Sequence, residues 1–187
     1  QSRGRPHGHD RGFLHVAPPP AGNDSTGDGS AGAPFASIEN AASLAGPGTA
    51  IRLSPGVHSS DQFVADLEGT ALGAIWIGGE PGRLPKPVIS GGSEALHLGR
   101  AKWVVVHDLE IHSSTGNGLN ADDGGETANP LASHHLVFRR LSIHDIGSGG
   151  NNDCLKLSGI DDFWVLDSTI ARCGGGSSSR DSIRRSR

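Results

Sequence analysis

A two-strand unit written three times constrains this chain more than any other feature. The first copy is Ala95-Leu96-His97-Leu98-Gly99, followed by Trp103-Val104-Val105-Val106-His107-Asp108-Leu109-Glu110-Ile111. The second is Gly118-Leu119-Asn120-Ala121, then His135-Leu136-Val137-Phe138-Arg139-Arg140-Leu141-Ser142-Ile143. The third is Cys154-Leu155-Lys156-Leu157-Ser158-Gly159, then Asp162-Phe163-Trp164-Val165-Leu166-Asp167-Ser168-Thr169-Ile170. Repetition of this kind, with little helical patterning, predicts a solenoid of parallel strands whose thin core is filled by stacked Leu, Ile and Val. That core explains how a chain with only 4% aromatic residues can fold. The 29 glycines among 187 residues show no collagen period, so they serve the turns that each coil needs.

The length suits one domain. A net charge of −4 gives no footing for nucleic acid, and no apolar run approaches a membrane span. The chain begins with Gln and contains no Met, so a mature or trimmed form that is secreted or extracellular is expected, as a monomer. Cys154 and Cys173 either pair or stay as a free buried pair.

In chain order, residues 1–22 carry three Arg, three His and Pro18-Pro19-Pro20 and read as a flexible lead-in. Residues 23–33 form a turn-rich loop whose Asp and Asn spacing lacks the far-end Glu of an EF-hand. The β-helix domain is expected over 23–176, with one helix at about 34–45. Pro34 starts that helix, Phe35, Ile38, Ala41, Ala42 and Ala45 share its face, and Gly46-Pro47-Gly48 ends it. Ala50-Ile51-Arg52-Leu53 follows as a strand and Pro55-Gly56 turns the chain before Val57-His58.

The succession Pro34-Phe35-Ala36-Ser37-Ile38, Gly46-Pro47-Gly48-Thr49, Ile51-Arg52-Leu53 and Ser54-Pro55-Gly56-Val57 resembles the opening of secreted right-handed parallel β-helix proteins of the pectate-lyase-like superfamily. The resemblance implies an all-β, right-handed parallel β-helix whose N-terminal end is capped by the helix. Residues 61–92 make a looser turn, and regular rungs are expected over about 94–173. An insertion at 122–133 lies between the two strands of the second copy, where solenoids place binding loops. Residues 177–187 read as a disordered basic tail. With nothing there to cover the C-terminal end, the β-helix is expected to be truncated.

Side chains alternate along a strand, so His97, Asn120 and Lys156 point outward between inward leucines and alanine. Stacked rungs place them in one external row at roughly 4.8 Å per step. Around it, Asp122, Asp123, Glu126, Asn152 and Asp153 offer the hard oxygen ligands that suit Ca²⁺, and turn chemistry explains the same residues. Asn152-Asp153-Cys154-Leu155-Lys156 resembles a motif of the superfamily's calcium-dependent polysaccharide lyases, except that Lys156 stands where an acidic ligand is often found. That resemblance implies β-elimination on an acidic (uronate) polysaccharide. Lys156 is then the base, His97 the runner-up, and Asn120, Arg139 and Arg140 bind substrate. Glycoside hydrolysis by two of Asp122, Asp123 and Asp153 is an alternative, and so is a non-catalytic, glycan-binding or structural β-helix. Trp76, Trp103 and Trp164 are expected to pack rather than to stack on sugars. The readings separate on one point. A catalytic groove places Lys156 and at least two of Asp122, Asp123 and Asp153 in one cleft, whereas an inert module sends them to separate loops.

Overall fold

The computed structural model describes residues 12–174 and the backbone of 180–181. The chain winds as successive coils. The first holds β1 (Phe13–Val16) and α1 (Ile38–Ala42). The second holds β2 (Ala50–Leu53), β3 (Val57–His58) and β4 (Gln62–Ala65), and the third β5 (Ile75–Gly78), β6 (Val88–Ser90) and β7 (Glu94–Gly99). The fourth holds β8 (Lys102–His107), β9 (Glu110–His112) and β10 (Asn117–Asp122), and the fifth β11 (His134–Arg139), β12 (Ser142–Ile146) and β13 (Leu155–Ser158). The last holds β14 (Asp161–Leu166), β15 (Thr169–Cys173) and β16 (Arg180–Asp181).

Equivalent strands stack into three sheets. One runs β1-β2-β5-β8-β11-β14, one β4-β7-β10-β13 and one β3-β6-β9-β12-β15-β16. Every pairing is parallel except that of β16 with β15. This is a parallel β-helix. The expected register holds residue for residue: Leu119 pairs with Leu96 and Leu155, and Ile143 with Ile111 and Ile170. Leu96, Leu98, Ile111, Leu119, Leu136, Phe138 and Ile143 are almost wholly buried, so the core is a column of aliphatic layers.

The corner between the first and third sheets is two residues long in the last three coils: Asp108-Leu109, Arg140-Leu141 and Asp167-Ser168. Its first residue has a φ of 50°, 52° and 50° in turn, the left-handed region that Asp tolerates better than most residues. Asp108 is buried, and Arg140 of the next coil grips it with two bonds of 2.8 and 2.5 Å. Burial works against its charge, but Arg140, His107 and the Gly82 amide outweigh burial and hold Asp108 well below the usual carboxylate range.

Two expectations for the N-terminal part are corrected. The lead-in over 1–22 does not stay irregular, because Phe13–Val16 pair in parallel with β2 and bury Leu14 and Val16. An alternating stretch of four residues is a short signal, visible only once β2 supplies its partner. The helix is also shorter than 34–45. Phe35 bridges to Val16 in extended form, and Ser37 (φ −121°, ψ 151°) caps α1 by accepting from the Asn40 amide. α1 lies along β4: Gln62 Oε1 accepts from the Ile38 amide at 2.9 Å, and Glu39 Oε1 accepts from the Phe63 amide at 2.6 Å. The basic tail over 177–187 lies outside the described residues apart from Arg180–Asp181. The two cysteines pair, joining the entry to β13 with the end of β15. Among the described residues no helix is long and apolar enough to cross a membrane.

Candidate functional site

The outward row of the four-stranded sheet reads Phe63, His97, Asn120, Lys156 across β4, β7, β10 and β13. Phe63 is 53% exposed and meets the His97 ring edge-on, with centroids 4.8 Å apart. His97 is held on both sides. Its Nδ1 lies 3.0 Å from Glu94 Oε2, and its Nε2 lies 2.7 Å from Asp122 Oδ2. A neutral imidazole has one donor and one acceptor nitrogen, so only the doubly protonated ring donates to both carboxylates at once.

Asn120 lies beside this group and is 7% exposed. Its amide nitrogen donates to Glu94 Oε1 at 3.3 Å, while its carbonyl oxygen Oδ1 is buried with no hydrogen-bond partner. Asn117 also donates to Glu94, at 2.6 Å. Lys156 is half-buried, and among the described residues it has no hydrogen-bond or ion-pair partner. One exposed face thus gathers two carboxylates, an imidazole between them, an unsatisfied carbonyl and an unpaired ammonium.

The structure separates the residues expected to hold a metal. Asp122 ends β10. Asp123, in the loop that follows, is buried: its Oδ1 accepts from the Gly125 amide, and its Oδ2 lies where a Cβ on Gly159 would come within 2.2 Å. Glu126 accepts from Asn129 Nδ2 in the same loop. Asn152 and Asp153 bind at the other end of the sheet, Asn152 to the Thr115 carbonyl and the Asp153 amide to Asn117 Oδ1. Asn117 and Asp122 bound β10, so the two groups stand roughly 16 Å apart at about 3.3 Å per residue. Among the described residues no set of three or more His, Cys, Asp or Glu is arranged to hold a metal ion. The five residues therefore do not fit one Ca²⁺ site: oxygen-rich turns at the two ends of a strand look contiguous only along the sequence. For the same reason Lys156 shares its face with Asp122 but not with Asp123 or Asp153.

Arg139 and Arg140 are likewise not beside Asn120. Arg139 is on the outer side of the first sheet, in register with His107, and Arg140 is the ion-pair partner of Asp108. An arginine pair at a strand end divides between two environments, which sequence alone does not reveal. Two of the three tryptophans depart from the expectation that they pack. Trp76 and Trp164 are in register with Val105 and Val137 on that same outer side and are each 39% exposed, while Trp103 stacks on His135 with centroids 3.8 Å apart. On the third sheet His144 lies 2.7 Å from Asp145 and 3.2 Å from Glu110, and Arg172 completes that surface cluster. Arg172, then His144, hold Asp145 well below the usual carboxylate range.

Sequence reasoning missed Glu94. It stands three positions before His97 and begins the strand, so its outward side chain reaches back over the imidazole. The signal was the repeat itself, since Asn117 occupies the same register position in the next coil.

No protein-family model matches the chain, and no curated protein matches it. Solved structures do. The GH136 lacto-N-biosidase from Eubacterium ramulus matches with a TM-score of 0.62 and 18% identity, over 87% of this chain and 34% of that one. Pectate lyase Pel9A matches with a TM-score of 0.52 and 14% identity, over 83% of this chain and 47% of that one. These likenesses show the fold, a parallel β-helix. The chain spans about a third of the first enzyme's length and about half of the second's. The four-stranded sheet is flanked in the last coils by two long loops, residues 123–133 and 147–154.

Proposed function

We propose that this chain is an extracellular carbohydrate-active β-helix protein that hydrolyses a glycosidic bond on the outer face of its four-stranded sheet. The observation that carries the reading is the placement of Glu94 and Asp122 on opposite nitrogens of one imidazole. Hydrolysis needs two carboxyl groups, one to protonate the departing glycosidic oxygen and one to take a proton from the attacking water. With a ring between them, the two carboxylates are read as the wider-spaced pair of an inverting enzyme, for which about 6.5–9.5 Å is usual, and the attacking water then approaches from the solvent side of the ring. His97, engaged on both sides, acts as a positioning residue. Phe63 offers an apolar surface to a sugar ring. α1 is read as the cap of the sheet's β4 edge, on the strength of Glu39 and Gln62.

β-Elimination on a uronate polysaccharide is the second reading, and the unpaired ammonium of Lys156 favours it. To act as base that side chain would have to give up a proton and take the substrate's as a neutral amine, while another cation neutralised the substrate carboxylate. Arg139 lies on another sheet and Arg140 in the corner that follows it, and the two carboxylates already on this face repel an anionic sugar.

A panel of neutral and acidic glycans, incubated with the protein with and without Ca²⁺, decides between them. New reducing ends without ultraviolet-absorbing unsaturated ends are expected, and Glu94→Gln or Asp122→Asn should each lower the rate about 10²-fold or more. Absorbing product that vanishes in Lys156→Ala would replace hydrolysis with elimination. Neither product from folded protein would sink both and leave a non-catalytic glycan-binding module.

A further inference from the structure

A cleft of about 560 Å³ opens against the first sheet, away from the four-stranded one. Its size falls within the roughly 300–1,000 Å³ of small-molecule sites. β1 contributes His15, the end of β2 contributes Arg52, and the loop between β5 and β6 contributes Glu80, Arg83 and Pro85. The polar groups here are unevenly used. Glu80 pairs with Arg83 at 2.7 Å. Arg52 instead lays its guanidinium against Phe13, 4.5 Å from the ring centre, and among the described residues no carboxylate bonds to it. A guanidinium backed by an aromatic ring keeps its donor edge free, and that edge matches a carboxylate with two parallel bonds.

We propose that this cleft binds a sugar acid, with the sugar's carboxylate on Arg52 and its ring against the proline-lined wall. The site does not depend on which bond is cleaved at Glu94 and Asp122. It gives the molecule a place for an acidic residue of a glycan that those two carboxylates repel.

Calorimetric titration of the whole chain with glucuronate, glucose and acetate tests the assignment. Glucuronate should bind saturably, and glucose and acetate at least about tenfold more weakly, because each lacks one half of the recognised group. Arg52→Gln should weaken glucuronate about tenfold or more, and Arg52→Lys by less, since the ammonium keeps the charge and loses the fork. Ala31→Trp, which narrows the cleft from an exposed loop without touching Arg52, should weaken it as well. Glu94→Gln should bind glucuronate like the unaltered protein, and Arg52→Gln should cleave short neutral glycans at the unaltered rate, so failure of one site is distinguishable from failure of the other. Equal affinity for glucose, undiminished glucuronate binding in folded Arg52→Gln and Ala31→Trp, or no saturable binding by folded protein would each overturn the proposal.

Discussion

His97 shows how one side chain can fix two others. Removing its ring frees Glu94 and Asp122 to close on each other or swing into solvent, and small displacements of catalytic groups cost about 10²-fold in rate. His97→Ala is therefore expected to lower hydrolysis about 10²-fold, and added imidazole to restore part of it. If the ring acted as the base itself, the His97→Gln variant would be as inactive as Glu94→Gln. If it only spaces the carboxylates, His97→Gln, whose amide can still donate to one of them, should retain intermediate activity. The stereochemistry of the first product, followed by NMR, should be inverted at the anomeric carbon. Asp108 makes a different residue-scale prediction. Breaking a buried ion pair by removing one partner costs about 3–5 kcal/mol, so Asp108→Asn should destabilise the fold by about that amount at neutral pH. The folded pKa of Asp108 is depressed, so its contribution is full above the unfolded value of about 3.9 and fades as pH falls below it. Urea unfolding should accordingly show the gap between Asp108→Asn and the unaltered protein narrowing below about pH 4.

At the scale of elements, strands were legible and their surroundings were not. Leu96, Leu119 and Leu155 announce their register because a one-residue slip would turn every leucine out to water. His97, Asn120 and Lys156 were placed on one face by the same alternation. The loops carry no such constraint, so the five oxygen-bearing residues could not be assigned to the two ends of β10 from spacing alone. The disulfide was equally hidden, since two cysteines in a repeat can meet or miss by one coil. It encloses a short loop, with a sequence separation of 19 residues, and such a cross-link is worth about 3 kcal/mol. Replacing both cysteines with Ala should lower the thermal midpoint, with faster hydrogen exchange confined to β12, β13, β15 and their turns. At the opposite end, Glu39→Ala removes the acceptor of the Phe63 amide and should cost about 1 kcal/mol. No change in the exchange of β4 amides would refute the reading of α1 as the cap of that edge.

Across the whole molecule, stability should be graded rather than uniform. β8 and β11 each lie between two neighbours, whereas β14 has only one among the described strands, and Phe163 is 44% exposed at the register position where Leu136 and Val104 are buried. In a solenoid each coil is held by the coils beside it. Hydrogen exchange should therefore be slowest in β8 and β11 and fastest in β14. The repeat read from sequence captured this linear architecture, and its aliphatic code was sufficient to specify it. It could not show which outward side chains meet across coils, because those contacts depend on side-chain reach as well as register. Glu94 and Arg52 both lay beyond its sight for that reason.

The two-residue corner at Asp108, Arg140 and Asp167 has a mechanical consequence. It fixes the angle between two walls of a three-walled tube in the last three coils, while the other two corners accept loops of different length. The tube therefore behaves like a lathe bed with one rigid rail. Loops can be exchanged on either side of the four-stranded wall, and the carriage that bears Glu94, His97 and Asp122 keeps its alignment.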